Sequence, residues 1–334
     1  MMSFPLVDGR TIPAVGFGTF QPDHNPAAGV TEAVLKALEA GYRHIDTAWM
    51  YGNGEAERGI GAALRQWGGK REELFIVTKL ANAHHKPEDV AAALDLSLKN
   101  LGVEYVDLYL MHTPVAYHRV GKGDDEWLTV RSPDGKPEID FPTMRRYDLT
   151  WRAMENLVTA GRAKYIGVSN FSIKKLQKLL NTANIPPAVN QIESHPYLLE
   201  DELIEFCNDN GIHVTAFSPL GGKPVAAVAV NANVPGPLQH EKIKIIAEKN
   251  GISPAQVLLK WGLQRGTSVI PKAYTSSHII DNFAVLDLPA LSDEDMSVIN
   301  EIRKGQGEVR FINGVSHWGF DIYNPGPEDP TEEP

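Results

Sequence analysis

Eight short apolar runs alternate with helix-periodic segments along the chain, and no other feature restricts the fold so strongly. The runs are AVGFGT (14–19), HIDTA (44–48), LFIVTKL (74–80), VDLYLMH (106–112), YIGVSN (165–170), AVNQIE (188–193), HVTAFSP (213–219) and SVIPK (268–272). Between them, EAVLKALEAG, EAERGIGAALRQW, PEDVAAALDLSLKNLG, LTWRAMENLVTAG, SIKKLQKLLNTA, EDELIEFCNDNG, SPAQVLLKWGLQRG and SHIIDNFAVL space their apolar residues near the helical repeat. Pro87 sits in a first helical turn, and Gly41, Gly102, Gly161 and Gly211 stop helices. A ninth helical segment, LSDEDMSVINEIRKG, follows the last unit. Alternating strands and helices predict a parallel sheet with helical crossovers. Eight such units predict an α/β fold, a closed (β/α)8 TIM barrel. An open doubly wound sheet would carry G-x-G-x-x-G after its first strand, and GFGTFQ does not match. The opening LVDGRTIP predicts a β-hairpin around Asp8–Gly9, placed to plug the bottom of the barrel.

Composition narrows the function classes. The chain has 334 residues, read as one barrel domain, with 43% apolar residues and a net charge of −10. A surplus of acid argues against nucleic-acid and anionic-membrane partners. A single cysteine, Cys207, excludes an intrachain disulfide and fits a reducing, cytoplasmic setting. MMSFPLVDGRTIP lacks a signal-peptide apolar run, and no stretch reaches the ~20 apolar residues of a membrane span. The closing PGPEDPTEEP, 325–334, has the composition of a disordered tail.

In a (β/α)8 barrel the active site lies at the C-terminal ends of the strands. Those ends carry Thr19, Asp46, Lys79, His112, Ser169 with Asn170, Gln191 with Glu193, Ser218 and Lys272. Ser169 and Asn170 could be ordinary helix caps. Lys79 and His112 cannot. Alone, Lys79 reads equally well as a snorkelling surface lysine, His112 as a core histidine, Asp46 as a structural carboxylate and Tyr51 as packing. Adjacent strands are ~5 Å apart, so Asp46, Lys79 and His112 should converge on one rim. Tyr51 can fold back over it through Gly52 and Gly54. A free phenol is a poor acid at neutral pH, and a nearby ammonium lowers its pKa. Asp46 would hold Lys79, Lys79 would tune Tyr51 as a general acid, and His112 would orient a substrate oxygen. Such a set protonates a carbonyl oxygen, but no side chain can supply a hydride. Three other readings stay open. His44, Asp46, His84, His85 and His112 could serve a metal-dependent hydrolase. Lys79 could form a Schiff base in an aldolase. A chain of this fold could also sense a cofactor without catalysis.

GYRHIDTAWMYGN, the lysine of IVTKL, LYLMHTP, IGVSNF, VNQIE, SPLG and VIPK resemble the aldo-keto reductase family, in that family's order and over about residues 5–305. The resemblance implies a monomeric (β/α)8 reductase that uses a nicotinamide cofactor on a small carbonyl substrate, with no required metal. It implies a tetrad of Asp46, Tyr51, Lys79 and His112, with Tyr51 as proton donor. Ser169, Asn170 and Gln191 resemble residues that bond the nicotinamide amide. Phe217 stands where many members stack a tyrosine on that ring. Gly18 and Thr19 resemble the loop under the nicotinamide ribose, and Ser218 and Leu220 the pyrophosphate stretch. Ile270, Lys272, Ala273, His278, Asp281 and Asn282 resemble the adenosine site, with Lys272 on a 2′-phosphate. Ala273 replaces a common serine there, and His278 a common arginine. NADPH is the expected cofactor and NADH the alternative, since a histidine is a weaker phosphate partner than an arginine. Phe20, Trp49, Thr113 and Trp318 are the expected pocket wall. Many members carry tryptophan at the position of Phe20 and directly after the histidine, where Thr113 stands. The roomier, more polar pocket implied suits glyceraldehyde or pentoses; an aromatic or ketone-preferring reductase is the alternative. Three long loops, 114–147, 220–237 and the tail from 305, should surround it.

Overall fold

The computed structural model describes residues 2–20, 27–121, 128–221, 231, 233–324 and 329–332. Strands β1 (Ser3–Pro5) and β2 (Thr11–Pro13) pair antiparallel as a hairpin. The barrel strands follow: β3 (Phe17–Gly18), β4 (His44–Asp46), β5 (Phe75–Leu80), β6 (Val106–Met111), β7 (Ala163–Ser169), β8 (Val189–Glu193), β9 (His213–Phe217) and β10 (Ser268–Val269). They lie side by side in chain order, all parallel. A parallel bridge between Val15 and Val269 joins the first strand to the last, with Gly16 N donating to Val269 O (2.8 Å) and Val269 N to Ala14 O (2.9 Å). The sheet therefore closes, as the alternation predicts.

Around it run α1 (Ala27–Ala40), α2 (Glu55–Trp67), α3 (Pro87–Leu101), α4 (Phe141–Arg145), α5 (Tyr147–Thr159), α6 (Ile173–Leu180), α7 (Asp201–Asp209), α8 (Glu241–Asn250), α9 (Pro254–Gln264), α10 (Ser276–Ala284), α11 (Asp293–Asn300), α12 (Ile302–Gln306) and α13 (Val315–Trp318). Local chemistry explains their limits. Pro87 starts α3, where its missing N–H costs nothing, and Gly102 ends it in the left-handed region at φ 68°. Ser253 and Gln256 form a reciprocal capping box at the start of α9. α2 buries Ala56, Ile60 and Ala63, one face of a helix, in the main apolar cluster. The sequence reading missed α8 and the short α4 and α13, of which α8 is the longest. Half of its segment EKIKIIAEKN is charged, and only Ile243, Ile246 and Ala247 form a narrow buried stripe. It packs with Trp261 of α9 and Phe311 in a second apolar cluster.

The hairpin plugs the barrel floor as expected. Leu6 and Ile12 are buried among Val77, Leu108, Leu110 and Val189, which point inward from the strands. Tyr165 Oη donates to Asp8 Oδ1 (2.5 Å) and ties the turn down. The expected disordered tail lies partly outside the described residues. Residues 325–328 and 333–334 lie outside the described set, but 329–332 are docked. Asp329 meets the buried Lys175 (3.2 Å), Glu332 meets Lys178 (2.7 Å), and Thr331 is buried. The tail's carboxylates find lysines of α6, a long-range pairing that acidic composition cannot reveal.

Two outcomes follow from this core. Ile12→Ala should destabilise the protein by about 2–5 kcal/mol in urea titrations, because it opens a cavity under the strands. The second concerns acid. Burial lowers the pKa of His44, and pushes His85 and His213 down to about 3. The unfolded chain, with histidines near ~6.5, takes up protons below that pH while the folded one excludes them. Stability should thus fall as pH drops from ~6.5 toward 3, by up to ~1.4 kcal/mol per pH unit for each histidine. His213→Gln should flatten that slope; an unchanged slope would remove His213 from the account.

Candidate active site

Asp46 closes β4 and Lys79 lies one residue from the end of β5, both almost wholly buried. Lys79 Nζ donates to Asp46 Oδ1 (2.6 Å) and to Thr47 O (2.9 Å), and its third contact is Tyr51 Oη at 3.5 Å. The second carboxylate oxygen accepts from Gln191 Nε2 across the barrel (2.7 Å). Every N–H of the ammonium and both oxygens of its partner are therefore engaged. Burial works against the ammonium, but Asp46 and Tyr51 outweigh it and the lysine pKa moves up.

Tyr51 reaches this pair through an unusual turn. Gly52, Asn53 and Gly54 have φ of 68°, 51° and 85°, three left-handed residues in succession before α2. A Cβ on Gly54 would lie 2.5 Å from Asn100 Nδ2, so both conformation and space demand glycine there. The phenol packs edge-on against Phe20 (4.9 Å) and His112 (5.8 Å between centroids). The sequence reading expected Lys79 to lower the tyrosine's pKa. Here the net direction is upward. Withdrawal from water is the largest influence, and the Lys79 charge offsets only part of it. Burial also drives His112 well below the usual histidine range, helped by Lys79 and His85. Its ring is neutral at physiological pH, and the buried Nδ1 has no hydrogen-bond partner among the described residues.

A second group adjoins His112. Asn170 has φ 64°, and its Nδ2 donates to His112 O (2.9 Å) and Ser169 Oγ (3.0 Å). Ser169 Oγ in turn donates to Gln191 O (2.8 Å). Neither residue caps α6, which starts after Ser172, so the cap reading fails. Asn170 Oδ1 accepts from Tyr323 Oη (2.7 Å). Phe217 ends β9 half-buried, and Ser218 follows in the left-handed region at φ 47°. Leu220 packs against both large apolar clusters. Thr19 places its amide and hydroxyl on Asp46 O (3.0 and 2.9 Å). Gly18 donates to Pro271 O, and a Cβ there would sit 2.7 Å from Ile270 O.

Lys272 and His278 are exposed on the segment that leads from β10 into α10, while Ile270, Ala273 and Asn282 are buried. Lys272 Nζ lies over the Tyr274 ring (4.8 Å). One oxygen of Asp281 accepts from Ser253 Oγ (2.7 Å). Around the rim, Trp49 packs edge-on against His84 (4.9 Å), and Thr113 Oγ1 accepts from Asn82 Nδ2 (2.7 Å). Asn82, just past Lys79, is a buried polar residue the sequence reading missed. Trp318 joins the first loop rather than the four central residues, its indole N–H donating to Tyr117 Oη (2.5 Å). That loop folds back on itself through antiparallel bridges Tyr117–Ile139, Arg119–Thr129 and Arg131–Pro137. Trp127 and most of the second loop, 222–230 and 232, lie outside the described residues.

The rival readings find little here. Lys79 has no free N–H and a raised pKa, the reverse of a Schiff-base lysine. His44 Nδ1 faces Pro13 O (3.1 Å) at the barrel floor, and His84 faces Trp49. Among the described residues no three His, Cys, Asp or Glu side chains gather as metal ligands. No described helix is long and apolar enough to cross a membrane.

The closed parallel barrel gathers Asp46, Lys79, Tyr51 and His112 at one rim, the first two buried and the others half-buried, and likeness to known proteins makes the chain an oxidoreductase of the aldehyde-reductase type. The chain belongs to the aldo/keto reductase family, whose profile matches residues 14–304. It is 44% identical over 330 residues to the glycerol 2-dehydrogenase (NADP(+)) of Hypocrea jecorina, covering 96% of this chain and 98% of that one. It is 43% identical over 304 residues to aldo-keto reductase family 1 member A1 of Gallus gallus, covering 90% and 88%. The aldose reductase structure from Schistosoma japonicum superimposes with a TM-score of 0.83 at 36% identity, covering 98% of this chain and all of that one. The family resemblance and the barrel expected from the sequence are thus both borne out, and with them the use of a nicotinamide cofactor.

The buried ion pair makes a direct prediction. Asp46→Ala should cost about 3–5 kcal/mol in urea unfolding, because it strands the Lys79 charge, whereas the double variant Asp46→Leu/Lys79→Met should recover most of that loss. A double variant as unstable as the single one would show that the stability lies elsewhere than in the pairing.

Proposed function

We propose that this chain reduces small hydroxylated aldehydes, such as glyceraldehyde and pentoses, to alcohols, with NADPH as reductant and Tyr51 as proton donor. The observation that carries the reading is the contact of Lys79 with both Asp46 and Tyr51, beside a neutral His112. The raised pKa of Tyr51 keeps its proton in place until a stronger base forms beside it. An alkoxide developing on a substrate carbonyl is such a base. The Lys79 ammonium then steadies the phenolate left behind, and Asp46 keeps that ammonium charged and in place. A neutral imidazole can present an N–H to the substrate oxygen, and no partner among the described residues fixes the tautomer through Nδ1. The bound cofactor supplies the hydride, which no side chain can.

The residues present fit such a cofactor. Ser169, Asn170 and Gln191 bring amide and hydroxyl groups together beside His112, a set matched to a carboxamide. Gln191 Nε2 is committed to Asp46, which leaves Oε1 as its acceptor. Phe217 offers a half-buried aromatic face at the end of β9. Lys272 and the start of α10 suit a 2′-phosphate, and His278 stands in α10's first turn. Glyceraldehyde-type substrates fit the polar Thr113–Asn82 pair at the rim, and the relative from Hypocrea jecorina carries a polyol dehydrogenase name.

Tyr51→Phe should lower kcat by about a hundredfold to ten-thousandfold while NADPH still binds. Turnover that survives the change would exclude Tyr51 as the donor. The kcat/KM for NADPH should exceed that for NADH, and His278→Arg should widen the gap. A preference for NADH in the unaltered protein would overturn the NADPH reading. Assays with glyceraldehyde, xylose, arabinose and bulky aromatic ketones test the substrate class, and activity confined to the ketones would refute it.

A further inference from the structure

The C-terminal segment is anchored to the barrel at two places. Its first part is fixed to β8, where Glu193 Oε1 accepts from Phe311 N (2.7 Å) and Oε2 from Ile312 N (2.9 Å). Its second part is held by α6, where Lys175 Nζ, itself buried, donates to Ile322 O (3.3 Å) and pairs with Asp329. Tyr323 lies between these anchors. The Arg310 guanidinium, paired with Glu200, covers its ring at 3.6 Å from the centroid. The Tyr323 amide donates to Asp321 Oδ1 (2.8 Å). Ring, backbone and neighbours thus aim one hydroxyl in one direction, at Asn170 Oδ1 (2.7 Å).

Asn170 is the residue that this hydroxyl completes. Its nitrogen is already committed to His112 O and Ser169 Oγ. Its oxygen has Tyr323 as donor, and one lone pair remains for an amide N–H from outside the protein. Burial pushes the Tyr323 phenol above its ordinary pKa, so the hydroxyl stays protonated and can only donate at this contact. Without it, the asparagine amide would be anchored from the nitrogen end alone.

We propose that Tyr323 is a positioning residue of the nicotinamide-amide site: it fixes the Asn170 acceptor, so that docking of the C-terminal segment and binding of the carboxamide stabilise one another. This rests on the nicotinamide reading above and extends it to a residue far away in sequence. The coupling runs both ways, since whatever the segment lends to cofactor affinity the cofactor must return to the segment.

Calorimetric titration of the full chain with NADPH and with 2′-phospho-ADP-ribose, which lacks the nicotinamide, tests this. Tyr323→Phe removes one hydroxyl and keeps the ring under Arg310. It should weaken NADPH binding about three- to tenfold, the worth of one hydrogen bond, and leave the fragment within about twofold. In an Asn170→Ala background the same change should have no effect on NADPH. Hydrogen exchange in residues 310–324 should slow with NADPH and not with the fragment. Unchanged NADPH affinity in Tyr323→Phe would overturn the proposal, and so would an equal loss for both ligands, which marks a merely structural tyrosine. Wild-type protein that binds neither ligand would instead overturn the cofactor reading, and this inference with it.

Discussion

A lysine buried inside a barrel is the constraint from which the rest of the site follows. Lys79 is buried at the mouth of the sheet, and an unpaired ammonium there would be costly. Asp46 answers the charge at 2.6 Å, and the Thr47 carbonyl takes a second N–H. Asp46 itself must be held, and Gln191 does so from the opposite wall. Thr19 then meets the Asp46 backbone from β3's end. One charge thus fastens groups from β3, β4, β5 and β8 to each other. A set so fully bonded does not reorganise when charge develops nearby, which is what electrostatic catalysis asks of it.

Much of this was legible in the residues themselves. Strand ends that finish in Asp46, Lys79 and His112 stand out, because caps do not explain a lysine or a histidine. The barrel was legible because Val- and Ile-rich runs recur between helix-periodic segments. What was hidden is whatever depends on partners far along the chain. Glu193 could be seen at a strand end, but nothing near it announces that it grips Phe311 and Ile312. Asn170 and Tyr323 are 153 residues apart, and only packing brings them together. The tail reads as acidic and loose until Lys175 and Lys178 of α6 are seen to receive it.

Tyr51 shows a different limit. Sequence reveals a cation near a phenol, and so suggests a lowered pKa. It does not reveal how much water the fold removes, and that removal wins. The difference matters for chemistry. A phenol that held its proton weakly would lose it before the substrate needed it. Here burial holds the proton, and Lys79 stands ready for the charge that its departure leaves. α8 was hidden for a related reason, since its buried stripe is too narrow to read against so many charged neighbours.

On this account the Lys79 ammonium steadies the phenolate that proton transfer leaves on Tyr51. The pH dependence of kcat/KM for aldehyde reduction, compared between the unaltered chain and Lys79→Met, tests it most directly. Reduction should fail at high pH as the phenol ionises, and loss of the ammonium should lower the rate and move that limb to higher pH by at least about one unit. A limb that stays in place, with turnover intact, would contradict the account.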